Sequence, residues 1–75
     1  MPTVLARNLH RRRRALGYSQ ISLSADSEVS QSWISRVEAG ETPSIGVLTK
    51  LARALKTDVS SLFIDKDKGA VRDVH

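Results

Sequence analysis

Polar side chains that can hydrogen-bond the edges of nucleic-acid bases are concentrated in residues 19–40 (SQISLSADSEVSQSWISRVEAG). Amide, hydroxyl and guanidinium groups are the ones that read bases in the major groove. The stretch predicts two short helices joined by a tight turn. Some side chains of this arrangement point away from the apolar side, namely Gln20, Gln31, Ser32, Trp33, Ser35 and Arg36. This pattern predicts DNA binding.

The apolar residues of the same stretch occupy the positions that a helix-turn-helix must bury. They are Leu23, Val29, Ile34 and Val37. The helices predicted at 20–26 and 31–39 are joined by residues 27–30 only, which forces the two axes to cross steeply. The second helix then protrudes on one side, and a protruding helix fits the major groove of B-DNA.

Length and composition set the class of protein. The 75 residues make one small domain, with a core just sufficient for independent folding. The chain has no cysteine, which excludes disulfides and thiolate metal sites. The apolar runs are too short for a membrane-spanning helix, and no apolar signal segment follows the first residue. We therefore expect a cytoplasmic protein stabilised by packed aliphatic side chains.

Positive charge is concentrated near the start of the chain. The formal net charge is +4, and residues 1–18 hold five arginines and no acid. Such a patch attracts polyanions, of which nucleic acid is the commonest that a cytoplasmic protein meets. A charged run alone is more often a solvated helix face, so the arginines support DNA binding only together with the helix-turn-helix pattern.

Capping residues and apolar spacing predict an all-α bundle of about five short helices. The predicted helices are 4–16, 20–26, 31–39, 45–55 and a last turn or two ending near 62–63. A serine or threonine N-cap precedes each of the first four, namely Thr3, Ser19, Ser30 and Ser44. Leu16 is expected on the apolar face of the first helix. We expect one domain over 1–64 and a polar tail over 65–75 that is flexible or takes part in dimerisation.

Residues 19–40 resemble the helix-turn-helix of the phage Cro and repressor family, which implies a lambda-repressor-like DNA-binding domain. The usual run of that family is Ser or Thr, Gln, Leu-Ala, Gly-Val-Ser, Ile-Ser and Glu-x-Gly. The matching residues are Ser19-Gln20, Leu23-Ser24, Glu28-Val29-Ser30, Ile34-Ser35 and Glu38-Ala39-Gly40. Further matches upstream and downstream extend the resemblance over most of the chain.

Three positions depart from the family pattern. Ser24 replaces an alanine of the second helix, and Glu28 replaces the glycine of the turn. A non-glycine residue at positive φ costs about 1 kcal/mol, so we expect a slightly strained turn. Arg12 stands where many relatives carry an apolar residue, and its stem is expected to cover the core while its head stays in water.

The resemblance implies which residues contact bases. The recognition helix is 31–39, and its base-contacting side chains are Gln31, Ser32, Trp33, Ser35 and Arg36. Glutamine can read adenine, and arginine can read guanine, through paired hydrogen bonds. Each polar residue could instead be solvated or bound to phosphate, and Arg36 could pair with a neighbouring acid. Trp33 either packs against the domain or faces DNA.

The resemblance also implies contacts to phosphate and one structural ion pair. The candidates for phosphate are Arg11, Arg14, Gln20, Ser30, Glu41, Thr42 and Ser44. Backbone amides after Gly40 and the N-terminus of the fourth helix would supply some of these contacts. Arg13 and Glu38 are expected to pair between the first and third helices.

Together these features predict a sequence-specific regulator of transcription that binds double-stranded DNA, with a repressor as the favoured form. One such domain reads few base pairs, so we expect a homodimer on a palindrome-like operator, with recognition helices about 34 Å apart. Leu62, Phe63 and Ile64 are candidates for the dimer surface, with Val71 and Val74 as weaker ones. Leu62 and Phe63 could instead close the core.

Other classes of function fit the sequence less well. His10 and His75 have no partner in any catalytic motif, and the glycines are too scattered to cradle a phosphate. The sequence therefore predicts no enzyme, no cofactor, no metal, no small-molecule ligand and no membrane contact. The alternative to a regulator is a protein-interaction module, antitoxin-like or an adaptor, on the same fold.

Overall fold

The computed structural model describes residues 3–64 of the chain. Its elements are α1 (Val4–Ala15), α2 (Gln20–Ser27), α3 (Gln31–Glu38), α4 (Ile45–Ala54) and a 3-10 turn (Ser60–Phe63). The predicted all-α fold is confirmed, and the predicted ends of four helices are correct to within one residue. The predicted tail, 65–75, with Val71 and Val74, lies outside the described residues.

The predicted fifth helix is corrected to a single 3-10 turn. The Leu62 N–H donates to the Val59 carbonyl at 3.1 Å, and the Ile64 N–H donates to the Ser61 carbonyl at 3.3 Å. These bonds span three residues rather than four, as they do in short 3-10 turns. The turn is too short for α-helical bonds to form and is held instead by Asp58, whose carboxylate accepts from the Ser61 N–H at 2.8 Å.

Each α-helix begins after a side chain that satisfies one of its free backbone N–H groups. The N-caps are Thr3, Ser19, Ser30 and Ser44, and each accepts from the N–H three residues later. Such a cap typically stabilises a helix by about 1 kcal/mol. All four caps were predicted, because a hydroxyl residue before an apolar period is a strong start signal.

One aliphatic core joins the helices. Its buried residues are Leu5, Leu9, Leu23, Val29, Ile34, Val37, Leu48, Leu51, Ala52, Leu55 and Leu62. The four apolar residues predicted to fill the helix-turn-helix corner all belong to it. The expectation for Leu16 is wrong, since its residue surface is 42% exposed. α1 ends at Ala15, and Gly17 takes a φ of +82° just after it.

The turn between α2 and α3 fixes the angle at which α3 leaves the domain. Glu28 ends α2 in the left-handed region with a φ of +63°, a conformation that favours glycine. Val29 follows it into the core, and its N–H donates to the Ser27 hydroxyl at 3.3 Å. A positive φ at a residue with a Cβ agrees with the strain expected at this position.

α1 is fastened to the last part of the domain by two polar side chains. Asn8 Nδ2 donates to the carbonyls of Leu62 (2.9 Å) and Ile64 (2.8 Å). Arg12 Nε donates to the Leu55 carbonyl at 2.8 Å, and its Nη2 donates to the Lys56 carbonyl at 3.0 Å. The expectation that the Arg12 head stays in water is therefore wrong, because it satisfies carbonyls left free where α4 ends.

Candidate nucleic-acid interface

α3 has one face in the core and one in solvent. Ile34 and Val37, three residues apart, are fully buried. The exposed residues of this helix are Gln31, Ser32, Ser35 and Arg36. The structure therefore brings four of the five predicted base-contacting residues to one exposed helix face.

Glu38, at the end of α3, is the centre of a polar network that joins three helices. Its carboxylate accepts from Arg13 Nε at 2.6 Å and Arg13 Nη2 at 3.1 Å, so the Arg13–Glu38 pair is bidentate. Gln20 Nε2 donates to the same carboxylate at 3.3 Å, and His10 Nδ1 lies 3.0 Å from it. Burial raises the pKa of Glu38, but the bonds to Arg13, His10 and Gln20 outweigh burial and leave it below its ordinary value.

Gln20 connects this network to the exposed face of α3. While its amide nitrogen donates to Glu38, its Oε1 accepts from Gln31 Nε2 at 2.9 Å. Gln31 is the first residue of α3, and Gln20 is the first residue of α2. The two amides thus hold the starts of these helices together, and the Gln31 side chain has a defined position before any ligand arrives.

Arg36 is held in a defined position as well. Its Nε donates to Glu41 Oε2 at 2.5 Å, and its Nη2 donates to Glu41 Oε1 at 3.2 Å. The guanidinium carbon lies 4.5 Å from the centre of the Trp33 ring, in cation–π range. The bond to Glu41 raises the pKa of Arg36, and the same bond lowers the pKa of Glu41. Arg36 is therefore a fixed cation.

Trp33 packs against the domain, which is the first of the two alternatives that the sequence left open. Its ring is partly buried and packs against the hydrophobic core. The Arg36 guanidinium lies over the same ring. The indole therefore anchors α3 to the domain and also supports one of its exposed polar side chains.

The residues predicted to contact phosphate lie on several elements of the domain. Arg11 and Arg14 are exposed on α1. Ser30 and Ser44 use their hydroxyl oxygens as N-cap acceptors, at 3.2 Å and 3.3 Å, so each hydroxyl proton can still donate. Thr42 is exposed on the segment before α4.

The prediction for Glu41 needs correction. Its backbone N–H, the group expected to meet phosphate, donates to the Arg36 carbonyl at 3.0 Å and closes the end of α3. Its carboxylate pairs with the Arg36 side chain and would repel a phosphate. In this structure both the backbone N–H and the carboxylate of Glu41 are bonded to Arg36.

The comparisons with known proteins agree with this geometry. The sequence pattern that defines HTH_3, a helix-turn-helix family, matches residues 9–62. The chain belongs to the HTH_3 family. The matched region contains His10, Arg13, Gln20 and Glu38, so the whole polar network around Glu38 lies inside the HTH_3 domain.

Solved structures with the same fold include other members of this class. An HTH_3 family transcriptional regulator from Vibrio cholerae has 29% identity and a TM-score of 0.75, with 81% of this chain and 35% of that chain covered. The hypothetical transcription factor NHTF from Neisseria has 25% identity and a TM-score of 0.82, with 91% and 79% covered.

A third structure, the complex of SinR protein and SinI protein, has 27% identity and a TM-score of 0.74, with 92% of this chain and 76% of that chain covered. The present chain spans about a third of the length of the Vibrio cholerae regulator. A comparison with curated proteins gives no match.

The predicted dimer residues divide into two groups in this HTH_3 domain. Leu62 is buried in the core and is not available for pairing, because it packs where the 3-10 turn closes on α1. Phe63 and Ile64 are about half exposed. Ile64 also lines a groove of about 320 Å³ beside α1, to which Asn8, Leu16 and Thr57 contribute.

Sequence reasoning missed two contributors to the HTH_3 site. His10 has no partner evident from the sequence, yet its ring nitrogen lies 3.0 Å from the Glu38 carboxylate. Glu41 was assigned to phosphate, although its position just beyond Gly40 brings it next to Arg36. The signal for Glu41 is in the sequence: a glycine that ends a helix returns the residue immediately after it to the last turn.

Residues 3–64 of the HTH_3 domain lack the features of a metal site and of a membrane-spanning segment. Among these residues, no group of three or more His, Cys, Asp or Glu side chains is arranged to hold a metal ion. Within the same part of the chain, no helix has the length and apolar character to cross a membrane.

Proposed function

We propose that this HTH_3 protein is a sequence-specific, double-stranded DNA-binding regulator of transcription, and that it acts in the cytoplasm by binding rather than catalysis. α3 is its recognition helix and lies in the major groove. The observation that carries the proposal is the exposed face of α3. There, two side chains with base-reading chemistry, Gln31 and Arg36, are held in place by Gln20 and Glu41. Fixed donors bind DNA without losing much side-chain entropy.

The chemistry of these two side chains assigns them to different bases. The Gln31 amide can pair with the N6 and N7 of adenine, and the Arg36 fork can pair with the O6 and N7 of guanine. Ser32 and Ser35 can donate to or accept from several bases. Trp33 would contact DNA only through the edge of its indole ring, against a thymine methyl or a sugar.

Phosphates of the backbone would orient the domain on DNA. The N-termini of α2 and α4 offer a partial positive charge, and the Gln20 amide and the Ser44 hydroxyl lie there as donors. Ser30 and Thr42 add donors on either side of α3, and Arg11 and Arg14 add charge from α1. Binding to such an array weakens steeply with salt, because each neutralised phosphate releases counterions.

A homodimer on a palindrome-like operator completes the proposal, with repression as its regulatory outcome. Phe63 and Ile64 are exposed apolar side chains next to each other and supply the start of a pairing surface. Two copies related by a twofold axis would place two α3 helices in successive major grooves, about 34 Å apart. Sedimentation velocity on wild type and on Phe63→Ser is expected to show a dimer that the substitution weakens.

The experiment that tests DNA reading compares single-residue variants on one duplex. A preferred duplex, found by selection, is titrated with wild type, Gln31→Ala, Arg36→Ala and the control Arg53→Ala. Arg53 lies in the last turn of α4, and its substitution by alanine removes the same charge as Arg36→Ala does. Arg36→Ala is expected to weaken binding by about 5-fold to 150-fold, and Gln31→Ala by a comparable factor. Arg53→Ala is expected to have a small effect on both preferred and scrambled DNA.

Equal losses for Arg36→Ala and Arg53→Ala on both duplexes would contradict base reading by α3. Weak binding by the wild type, equal on the preferred and scrambled duplexes, would make the protein-interaction module the better account. The SinR and SinI complex is consistent with that second function, since a protein of this fold is there bound to another protein.

A further inference from the structure

We propose that Glu41 is a positioning residue for specificity: it holds the Arg36 guanidinium on Trp33 so that the free end of the fork reads one guanine. This inference rests on the proposed DNA-reading function and adds a second residue to it. Glu41 lies outside α3, and the sequence resemblance had assigned it to phosphate.

The backbone at the end of α3 places Glu41 beside Arg36. Gly40 takes a φ of +119° and donates its N–H to the Val37 carbonyl at 3.0 Å. The Glu41 N–H then donates to the Arg36 carbonyl at 3.0 Å. These are the two bonds of a Schellman motif, which returns the residue after the glycine, here Glu41, to the third-last residue of the helix, here Arg36. That contact is usually apolar, and here it is an ion pair.

The side chains divide the Arg36 guanidinium into a held part and a free part. Glu41 accepts from the edge formed by Nε (2.5 Å) and Nη2 (3.2 Å). Trp33 covers one flat face, 4.5 Å away. A guanidinium has five N–H donors, and these contacts leave both hydrogens of Nη1 and the second hydrogen of Nη2. The free end carries two parallel donors, which is the arrangement that matches the O6 and N7 of guanine.

The charge of Glu41, like its position, favours specific over non-specific binding. An isolated exposed arginine attracts any phosphate and so strengthens binding to every sequence. Paired with Glu41, Arg36 belongs to a unit of zero net charge that gains little from a phosphate. The unit can still bind guanine, because the O6 and N7 acceptors of that base are recognised by oriented hydrogen-bond donors rather than by net charge. Glu41 therefore raises the ratio of specific to non-specific affinity.

The test measures base preference at the position that Arg36 reads. Wild type and Arg36→Ala are first titrated against the selected duplex and against duplexes with each other base substituted in turn. The position whose preference Arg36→Ala abolishes is the Arg36 position. Glu41→Gln, Glu41→Asp and the control Glu28→Gln are then titrated on guanine and non-guanine duplexes at that position. Glu28 is an exposed glutamate in the α2–α3 turn, so its variant changes charge alone.

The proposal predicts a loss of preference rather than a uniform change. Glu41→Gln is expected to lower the guanine preference by about fivefold or more, and to tighten binding to scrambled DNA slightly. Glu41→Asp keeps the charge but shortens the reach, so the preference is expected to fall while scrambled binding stays unchanged. Glu28→Gln is expected to leave the preference as in wild type.

Two results would overturn the proposal alone. The first is an unchanged guanine preference in Glu41→Gln, which would make Glu41 only a repulsive charge. The second is a preference that rises in Glu41→Gln, which would make Glu41 a restraint on Arg36. A wild-type protein with no base preference would instead remove the DNA-reading function, and this inference with it. A base preference that Arg36→Ala does not alter would overturn the inference and leave DNA binding intact.

Discussion

Gln31 Nε2 donates a 2.9 Å hydrogen bond to Gln20 Oε1, so the first residue of α3 is held by the first residue of α2. Gln20 also donates to Glu38, at 3.3 Å, and Glu38 carries the bidentate bond from Arg13. A chain of polar contacts thus runs from the interior ion pair to an exposed amide. The Arg13–Glu38 pair lies at the buried end of this chain of contacts, and the exposed Gln31 amide lies at the other end, where a ligand can reach it.

Gln20→Ala is expected to weaken binding to the preferred duplex by about fivefold or more, because it removes both a phosphate donor and the support of Gln31. Stability should change little, since Glu38 keeps its bonds to Arg13. Fluorescence anisotropy gives the affinity, and urea denaturation followed by circular dichroism gives the stability. Unchanged affinity on the preferred duplex would show that the bond between the two amides has no role in binding.

Glu38→Gln is expected to destabilise the domain by about 3 kcal/mol at pH 7. The substitution leaves the buried Arg13 guanidinium without its counter-charge, and breaking such a pair is costly. Urea denaturation compared with Glu28→Gln, which removes an exposed charge, measures the difference. A loss below about 0.5 kcal/mol would be typical of a surface pair and would contradict the structural role of Glu38.

The pH dependence of stability provides a second measurement on the same pair. The folded state lowers the pKa of Glu38, so the carboxylate contributes stability at pH values above its unfolded-state pKa of about 4.3. That contribution is lost as the pH falls through the lower, folded-state value. The stability of wild type should therefore fall faster below pH 4.3 than that of Glu38→Gln. Parallel pH profiles for the two proteins would be the opposite result.

Glu28→Gly is expected to stabilise the domain by about 0.5–1 kcal/mol. The φ of +63° at Glu28 strains any residue with a Cβ, and glycine adopts this conformation freely, although it loses more entropy on folding. Glu28→Ala is the matched control, because it removes the charge and keeps the Cβ. Thermal unfolding should show a higher Tm for Glu28→Gly only. A gain in both variants would assign the effect to charge.

Arg12→Lys is expected to cost about 1 kcal/mol although the charge is kept. The Arg12 fork donates to two carbonyls, of Leu55 and Lys56, where α4 ends, and an ammonium group cannot match both directions. Arg11→Lys, at an exposed position of the same helix, is the control. Chemical denaturation of the two variants compares them directly, and equal stabilities would mean that the Arg12 bonds contribute nothing net.

Much of the fold was predictable from local signals. A hydroxyl N-cap stood directly before each of the four α-helices, and in α1, α3 and α4 an apolar period of 3.6 residues followed it, so that the helix starts could be predicted. The buried residues Ile34 and Val37 followed from the same period. The last turn was less predictable, because four residues can form either a short α-turn or a 3-10 turn, and only the packing of Leu62 and the bond from Asn8 decide.

The site was predictable in its residue types and less so in its contacts. The exposed face of α3 follows from helical spacing, so the positions of Gln31 and Arg36 could be inferred. The partner of Arg36 could not be read from the spacing along α3, because Glu41 is brought back by the positive φ of Gly40. His10 reaches Glu38 only because α1 packs on α3, which is a tertiary contact between residues far apart in sequence.

The central claim, sequence-specific binding by α3, is tested most directly by selection from a randomised duplex pool with the wild-type protein, followed by sequencing. The account predicts a twofold-symmetric motif with half-sites one helical turn apart, containing a guanine whose enrichment disappears when the selection is repeated with Arg36→Ala. No enriched motif, with equally weak binding to every duplex, would contradict it.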